Sequence, residues 1–336
     1  MKKLYKIMLL GLCLALVLTG CAGKSATPNS GNNGKKLKIV TTIFPEYDWV
    51  KNIMGNKFKD AEVTLLLNKG TDIHNYQPTV QDMMKVADCD VFIYVGGESD
   101  FWVEKALKES KNKNMRVLNL LKVLGKRVKN EEVVEGMQVK QEAGPKHEAE
   151  HKHEEAPEQD EHVWLSLRNA QVICRAIAQT LEEVDEVNKA TYEQNLKAYE
   201  QQLMNLDREY NTMTKSAKQK TVLFGDRFPF RYLMDDYGIK YYAAFVGCSA
   251  ETEASFQTIS FLAKKVEALK LKTIFALEHS DQKIAKTIAA AAKDKAPRKV
   301  LTLNSMQATG SKEIEGGATY LNIMRQNLTV LQEALQ

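Results

Sequence analysis

The sequence predicts an α/β protein of two lobes joined by a long helical stretch, and three observations carry that reading. From Leu37 onward, short apolar runs with strand character alternate with segments of helical spacing. That alternation argues for parallel sheets covered on both faces. It lapses after residue 123, gives way to a helical region over 168–217 whose length exceeds a usual crossover helix, and restarts at Thr221.

Taken in order, the chain begins with a segment that belongs to no lobe. Lys2, Lys3 and Lys6 precede an apolar run from Ile7 to Leu18, and small residues lead to Leu18-Thr19-Gly20-Cys21. This is the layout of a secretory signal over residues 1–20, shorter than the roughly 20 apolar residues that span a bilayer. Its end resembles a bacterial lipobox, in which Cys21 carries lipid, so the expected location is the extracytoplasmic face of the cell membrane. Residues 21–36, rich in Gly, Ser, Asn and Lys, read as a flexible tether. The N-terminal lobe is expected over 37–167, with strands at 37–43, 62–67, 91–96 and 116–120 and helices at 46–55, 78–87 and 101–111. Residues 126–161, charged and carrying Pro145 and Pro157, show no sustained period and read as a long His/Glu-rich loop. The linking region is placed at 168–218. The C-terminal lobe, 219–336, offers strands at 221–225, 241–245, 273–277 and 299–303 and helices at 229–237, 256–269, 281–293 and 318–335. No internal repeat is strong enough to make one lobe a copy of the other.

Composition narrows the function. The whole chain carries a formal charge of +4, and without the three leader lysines 44 basic residues face 43 acidic ones. That near-neutral balance leaves no footprint for nucleic acid. Roughly 300 residues beyond the leader suffice for two lobes of ordinary size. Cys89, Cys174 and Cys248 are too widely spaced for a disulfide framework or a CxxC metal pair, so cysteine chemistry is not expected, and their redox state is left open.

The histidines are more informative. Four of the six lie in "KHEAEHKHEEAPEQDEHVWLSL" (146–167), which contains a formal HExxH match at His147–His151. In a zinc hydrolase that motif sits on a buried helix, so that both rings face one metal. Here the neighbours are Lys, Glu, Ala and Gln with two prolines close by, a composition that cannot pack. His147, His151 and His153 remain candidates for weak auxiliary zinc capture, with a solvated charge run as the plain alternative. "GTDIHNYQPT" (70–79) is a turn-rich loop between a strand and a helix, and it places His74 exposed at a strand end. "DEHVWLSL" (160–167) holds His162 where the polar run meets a buried Val-Trp-Leu segment, at the edge of an ordered core.

"VTTIFPEYDWVKNIMGNK", "GTDIHNYQPT" and "EHVWLSLRNAQ", with the His/Glu-rich loop, the lipobox and the long helix, resemble the zinc/manganese ABC-transporter solute-binding proteins of bacteria. The resemblance covers nearly all of the chain beyond the leader. It implies two α/β lobes joined by a backbone helix, with one divalent metal held in the cleft between them. It also implies delivery to a membrane permease driven by a cytoplasmic ATPase, with a monomer as the working unit and no catalysis. On the matching motifs, His74 and His162 are the first two ligands.

The C-terminal lobe departs from the family pattern. The third ligand should stand about ten residues before Tyr237-Gly238, a position held by Arg227, and arginine has no lone pair to give a metal. Asp226, one residue earlier and at a strand end, is the preferred replacement. Where manganese-binding members have an Asp, this chain has Asn304, so His279 is taken as the fourth ligand with Glu278 beside it. Glu251 and Glu253 lie in a polar loop that reaches the cleft. A His-rich set with one or two carboxylates suits Zn²⁺, whereas Mn²⁺ favours more oxygen ligands. Zinc capture for an ABC importer is therefore the leading expectation. The alternatives are a manganese-binding protein of the same family and a zinc hydrolase using HEAEH.

Overall fold

The computed structural model describes residues 36–138, 158–249 and 253–336. The signal segment, Cys21, His147, His151, His153 and Glu251 lie outside the described residues. The first half runs β1 (Lys38–Thr41), α1 (Phe44–Met54), β2 (Glu62–Leu65), α2 (Val80–Asp88), β3 (Val91–Tyr94), α3 (Val103–Lys108), β4 (Arg116–Asn119) and α4 (Leu120–Leu124). Two helices follow, α5 (Leu167–Val184) and α6 (Lys189–Ser216). The second half runs β5 (Thr221–Phe228), α7 (Arg231–Tyr237), β6 (Lys240–Val246), α8 (Phe256–Ala268), β7 (Thr273–Leu277), α9 (Lys283–Ala291), β8 (Lys299–Leu303), α10 (Ser311–Glu315) and α11 (Tyr320–Leu335).

Each half forms a four-stranded sheet, ordered β2-β1-β3-β4 and β6-β5-β7-β8, and the strand pairs are parallel. The two lobes therefore share one topology that the sequence does not show as a repeat. Strands such as Val91–Tyr94 and Thr273–Leu277 are buried at every position, as strands covered on both faces must be. In both sheets the order turns back at the first strand. In open parallel sheets such a switch point leaves a crevice at the carboxyl ends of the strands, where ligands bind.

The single linking stretch expected over 168–218 is two helices. Asp185 leaves helical geometry at φ −140°, and its carboxylate accepts from Asn188 Nδ2 (2.7 Å) and Tyr192 Oη (2.5 Å). A local side-chain turn of this kind competes with the helix ladder and breaks it without glycine or proline. The long member is α6, about 42 Å at 1.5 Å per residue. It buries Tyr192, Tyr199, Leu203, Leu206, Tyr210 and Met213 along one face and packs on α5 and α1.

The stretch 126–161 also differs from its expectation. Its flanks are placed, because Val128, Val134 and Met137 give an extended segment apolar anchors. This segment reaches the second lobe: Lys129 N donates to Tyr232 Oη (2.9 Å), and Gln138 N donates to Ala244 O (2.9 Å). Asn130 bridges back to Gln159, which returns the chain to the site. Among the described residues no helix is long and apolar enough to cross a membrane.

Candidate metal centre

The side chains of the site come from the loop after β2, from the turn that precedes α5 and from the strand ends of the second lobe. After β2, the loop carrying His74 is pinned at two points. Thr79 caps α2, its hydroxyl accepting from Asp82 N (3.2 Å). Asp72 accepts from His74 N through Oδ1 (3.0 Å), which turns the ring inward. His162 is fixed from the other side, in the turn that leads into α5. Val163, Trp164 and Leu165 behind it are fully buried. Trp164 Nε1 donates to Ser305 O (2.8 Å), and Tyr320 Oη donates to Trp164 O (2.7 Å). These bonds reach from the first lobe into the second, so the turn cannot shift without disturbing both.

His74 was expected to be exposed, yet its side chain is only 6% accessible. His162, expected at a core edge, is entirely buried. The second lobe closes over both. Gly247 follows β6, and a Cβ there would come within 2.8 Å of His162 Cε1, so the absence of a side chain lets the Val246–Ser249 turn lie against the ring.

The ring nitrogens are oriented by carboxylates. His162 Nδ1 donates to Asp160 Oδ1 (2.9 Å), which also accepts from His162 N (3.0 Å). His74 Nδ1 is hydrogen-bonded to Ser99 Oγ (2.9 Å), with Glu161 Oε2 3.7 Å away. On His162, an Nδ1–H held by a carboxylate leaves the lone pair on Nε2. The two Nε2 atoms face each other at 3.0 Å, and Gln307 Nε2 stands 3.1 Å from that of His162. Burial, then the neighbouring His162, depresses the His74 pKa to about 3, so this ring is neutral at ordinary pH. Glu161 Oε2 is buried without a hydrogen-bond partner, and Glu161 Oε1 accepts from Ser99 N (2.8 Å). Gly97 makes room for that carboxylate: a Cβ there would lie 2.4 Å from Glu161 Oε1.

Of the four ligands expected from the sequence, His74 and His162 come together. Their companion among the described residues is Cys248: the three ligand atoms all lie within 4.8 Å of one another. Asp226 and His279 are elsewhere in the cleft. They line a cavity of about 390 Å³ with Asp72, Arg227, Glu278 and Ser305. Both Asp226 oxygens accept backbone N–H groups, from Arg227 (2.9 Å) and Leu277 (3.1 Å), and so tie β5 to the end of β7. His279 is exposed and holds a left-handed φ of +60°. Glu278 accepts from Ser305 N (2.7 Å) and Ser305 Oγ (2.6 Å), joining the ends of β7 and β8. Asn304 Oδ1 accepts from Met306 N (2.8 Å), closing the turn that carries Gln307. Glu253 is exposed, and its carbonyl accepts from Gln138 Nε2 (3.3 Å).

Arg227 spans the cleft. Its guanidinium donates to Asp72 Oδ2 (2.5 Å) and to Ser249 O (3.3 Å). Burial alone would raise the Asp72 pKa, but Arg227 and His74 hold that carboxyl below its usual value. One Asp72 oxygen thus orients His74 while the other anchors the opposite lobe.

Cys248 has no cysteine partner near it along the chain, so spacing alone gives it no role. The signal available was its position at the end of "YYAAFVGC", a strand end like those of the other candidates. Burial, then the carboxylates of Glu131, Glu161 and Asp160, pushes its thiol well above the ordinary value. A coordinating cation removes a thiol proton that such surroundings retain.

Comparison with known proteins points the same way. A family model described as zinc-uptake complex component A, periplasmic (ZnuA), matches residues 39–334. The high-affinity zinc uptake system protein ZnuA of Bacillus subtilis is 29% identical over 334 residues, covering 99% of this chain and 98% of its own length. The zinc-binding protein AdcA of Streptococcus pyogenes serotype M3 is 30% identical over 303 residues, 88% of this chain, and the chain spans 56% of that longer relative. Among solved structures, the Zn(II)-bound ZnuA-like domain of Streptococcus pneumoniae AdcA superposes with a TM-score of 0.68 at 28% identity, covering 90% of this chain and 99% of that domain. The metal-dependent lipoprotein YcdH of B. subtilis gives 0.70 at 28% identity, covering 89% and 99%.

Proposed function

The chain belongs to the zinc-uptake complex component A family, and on that footing we propose that it captures one Zn²⁺ in the interlobe cleft and hands it to an ABC importer. His74 and His162 are the ligands from the first lobe. The observation that carries this reading is the pair of Nε2 atoms facing at 3.0 Å, each ring held at its Nδ1 by a hydrogen bond to an oxygen. A cation between the rings takes both lone pairs and displaces the proton that otherwise bridges the two nitrogens. Nitrogens bound to one zinc at about 2.0–2.1 Å and the tetrahedral angle stand about 3.3 Å apart, so little movement is needed.

The surrounding residues have distinct tasks. Asp160 and Glu161 stand as carboxylates behind the rings, and Asp160 holds His162 in the tautomer that leaves Nε2 free. The Arg227–Asp72 pair holds the second lobe over the mouth of the site. His162 is withdrawn from water, which strengthens its attraction for a cation. Capture is then assembly of ligands by two lobes, and release is the work of the permease and its cytoplasmic ATPase. Lipid on Cys21 would keep this protein on the extracytoplasmic face of the membrane, as a monomer beside its permease. No step requires catalysis by the chain.

The test is elemental analysis of the purified protein with zinc titration against a competing chelator. One equivalent of tightly bound zinc is expected in the wild type, and none in the His74→Ala/His162→Ala double variant. Retention of one equivalent by that variant would reject the site.

A further inference from the structure

We infer that the second lobe closes the metal centre with the thiolate of Cys248, giving a His74, His162, Cys248 set in place of the ligand that Arg227 cannot provide. This deepens the proposed function and rests on it. Among the described His, Cys, Asp and Glu residues, the thiol is the one group of the second lobe whose ligand atom lies within 4.8 Å of both imidazole nitrogens. It arrives there because three features of β6 and its turn agree. Gly247 lets the backbone pass the His162 ring at a distance no side chain would allow. Ser249 N donates to Val246 O (3.3 Å), which closes the turn with Cys248 inside it. Cys248 N donates to Glu131 Oε1 (3.0 Å), fixing the residue from the segment that returns to Asp160.

The dimensions suit zinc. With Zn–N near 2.0–2.1 Å and Zn–S near 2.3 Å, nitrogen and sulfur on one tetrahedral ion stand about 3.5 Å apart, so the thiol side closes by about 1.3 Å at most on loading. On binding, the S–H proton leaves to solvent and the sulfur takes the metal, so two neutral imidazoles and one thiolate leave the centre with a net charge of +1. The other two cysteines are unsuited: Cys174 is buried in α5, and Cys89 is buried with its Sγ donating to Val86 O (3.2 Å). The consequence is selectivity. A thiolate favours soft or borderline ions and disfavours Mn²⁺, which binds through oxygen. The centre thereby separates zinc from manganese without the carboxylates of Asp226 or Glu278.

Cobalt(II) is the probe, because a thiolate bound to it gives an intense near-ultraviolet charge-transfer band that imidazole and carboxylate do not. The wild type loaded with one equivalent should show that band. The band should persist in Cys89→Ser/Cys174→Ser and vanish in Cys248→Ser, whose zinc affinity should fall at least about tenfold, the scale seen when even outer supports of a metal site are removed. X-ray absorption of the zinc form should contain one sulfur near 2.3 Å. If the wild type binds one equivalent of metal with no charge-transfer band and only nitrogen and oxygen around zinc, the Cys248 assignment is overturned while His74 and His162 stand. If the wild type binds no stoichiometric metal, both readings fall together.

Discussion

Replacing Asp160 by Asn isolates what a buried carboxylate does for a metal ligand it never replaces. Asp160 Oδ1 accepts from both the backbone N (3.0 Å) and Nδ1 (2.9 Å) of His162, and its residue is 3% exposed. The amide oxygen of asparagine can keep both bonds, so the ring should stay in place and the apo protein should unfold as before. What is lost is the negative charge that makes His162 Nε2 a stronger donor to a cation. Loss of such a support costs about 10–100-fold in metal affinity, and a substitution that preserves geometry belongs at the lower end. At zinc a hundredfold above the wild-type Kd, binding stabilises the wild type by about 2.7 kcal/mol. A tenfold weaker Kd at the same zinc reduces that to about 1.4 kcal/mol. Thermal scans with and without zinc should therefore show the variant gaining about half the wild-type shift, and a chelator competition should return the tenfold change directly. A Kd within about twofold of wild type would refute the electrostatic role assigned to Asp160.

Three further outcomes follow from particular contacts. Gly97→Ala should destabilise the apo protein by about 1–3 kcal/mol in urea unfolding, because φ is +83° and the new Cβ meets Glu161 Oε1; an unchanged midpoint would show that Glu161 is free to move. Asp48, buried and accepting from Tyr320 N (3.0 Å) at the start of α11, has its pKa raised to about 6, chiefly by burial. The folded state then holds this proton more tightly than the unfolded chain, so stability is fullest below about pH 4 and falls by up to about 3 kcal/mol as pH rises through 6. Asp48→Asn should flatten that fall in unfolding curves taken from pH 4 to 7, and an identical slope would remove Asp48 as its source. Replacing His147, His151 and His153 together by Ala should leave one equivalent of tightly bound zinc, since the proposed ligands lie elsewhere; loss of that equivalent in a chelator titration would return the HEAEH segment to the centre of the site.

The strands were legible because a parallel strand buried on both faces needs a run of apolar residues, and "VFIYVG" or "TIFAL" can hardly be anything else in this alternation. The helix faces were legible for the same reason of period: Tyr192, Tyr199, Leu203, Leu206 and Tyr210 fall on one side of α6 whatever covers them. The break at Asp185 was not visible, because it comes from a local carboxylate turn onto Asn188 and Tyr192 with no glycine or proline to mark it. Nor was the shared strand order of the two lobes, since topology constrains periods and connections without dictating residues.

For the proposed site, the sequence by itself singled out the first lobe's share. His74 and His162 each sit in a local motif whose turn and anchor residues are neighbours in the chain, so their roles could be read from short stretches. The second lobe's share was decided by tertiary structure alone. Asp226 and Cys248 both stand near strand ends, and spacing along the chain favours Asp226. Only the fold spends both Asp226 oxygens on backbone N–H groups, and only the approach of Gly247 to the His162 ring brings the thiol within 4.8 Å of two imidazoles. A ligand set drawn from residues 74, 162 and 248 is a statement about distances between three loops. Those distances exist only once two sheets, a pair of helices and a cross-lobe ion pair have fixed where each strand ends.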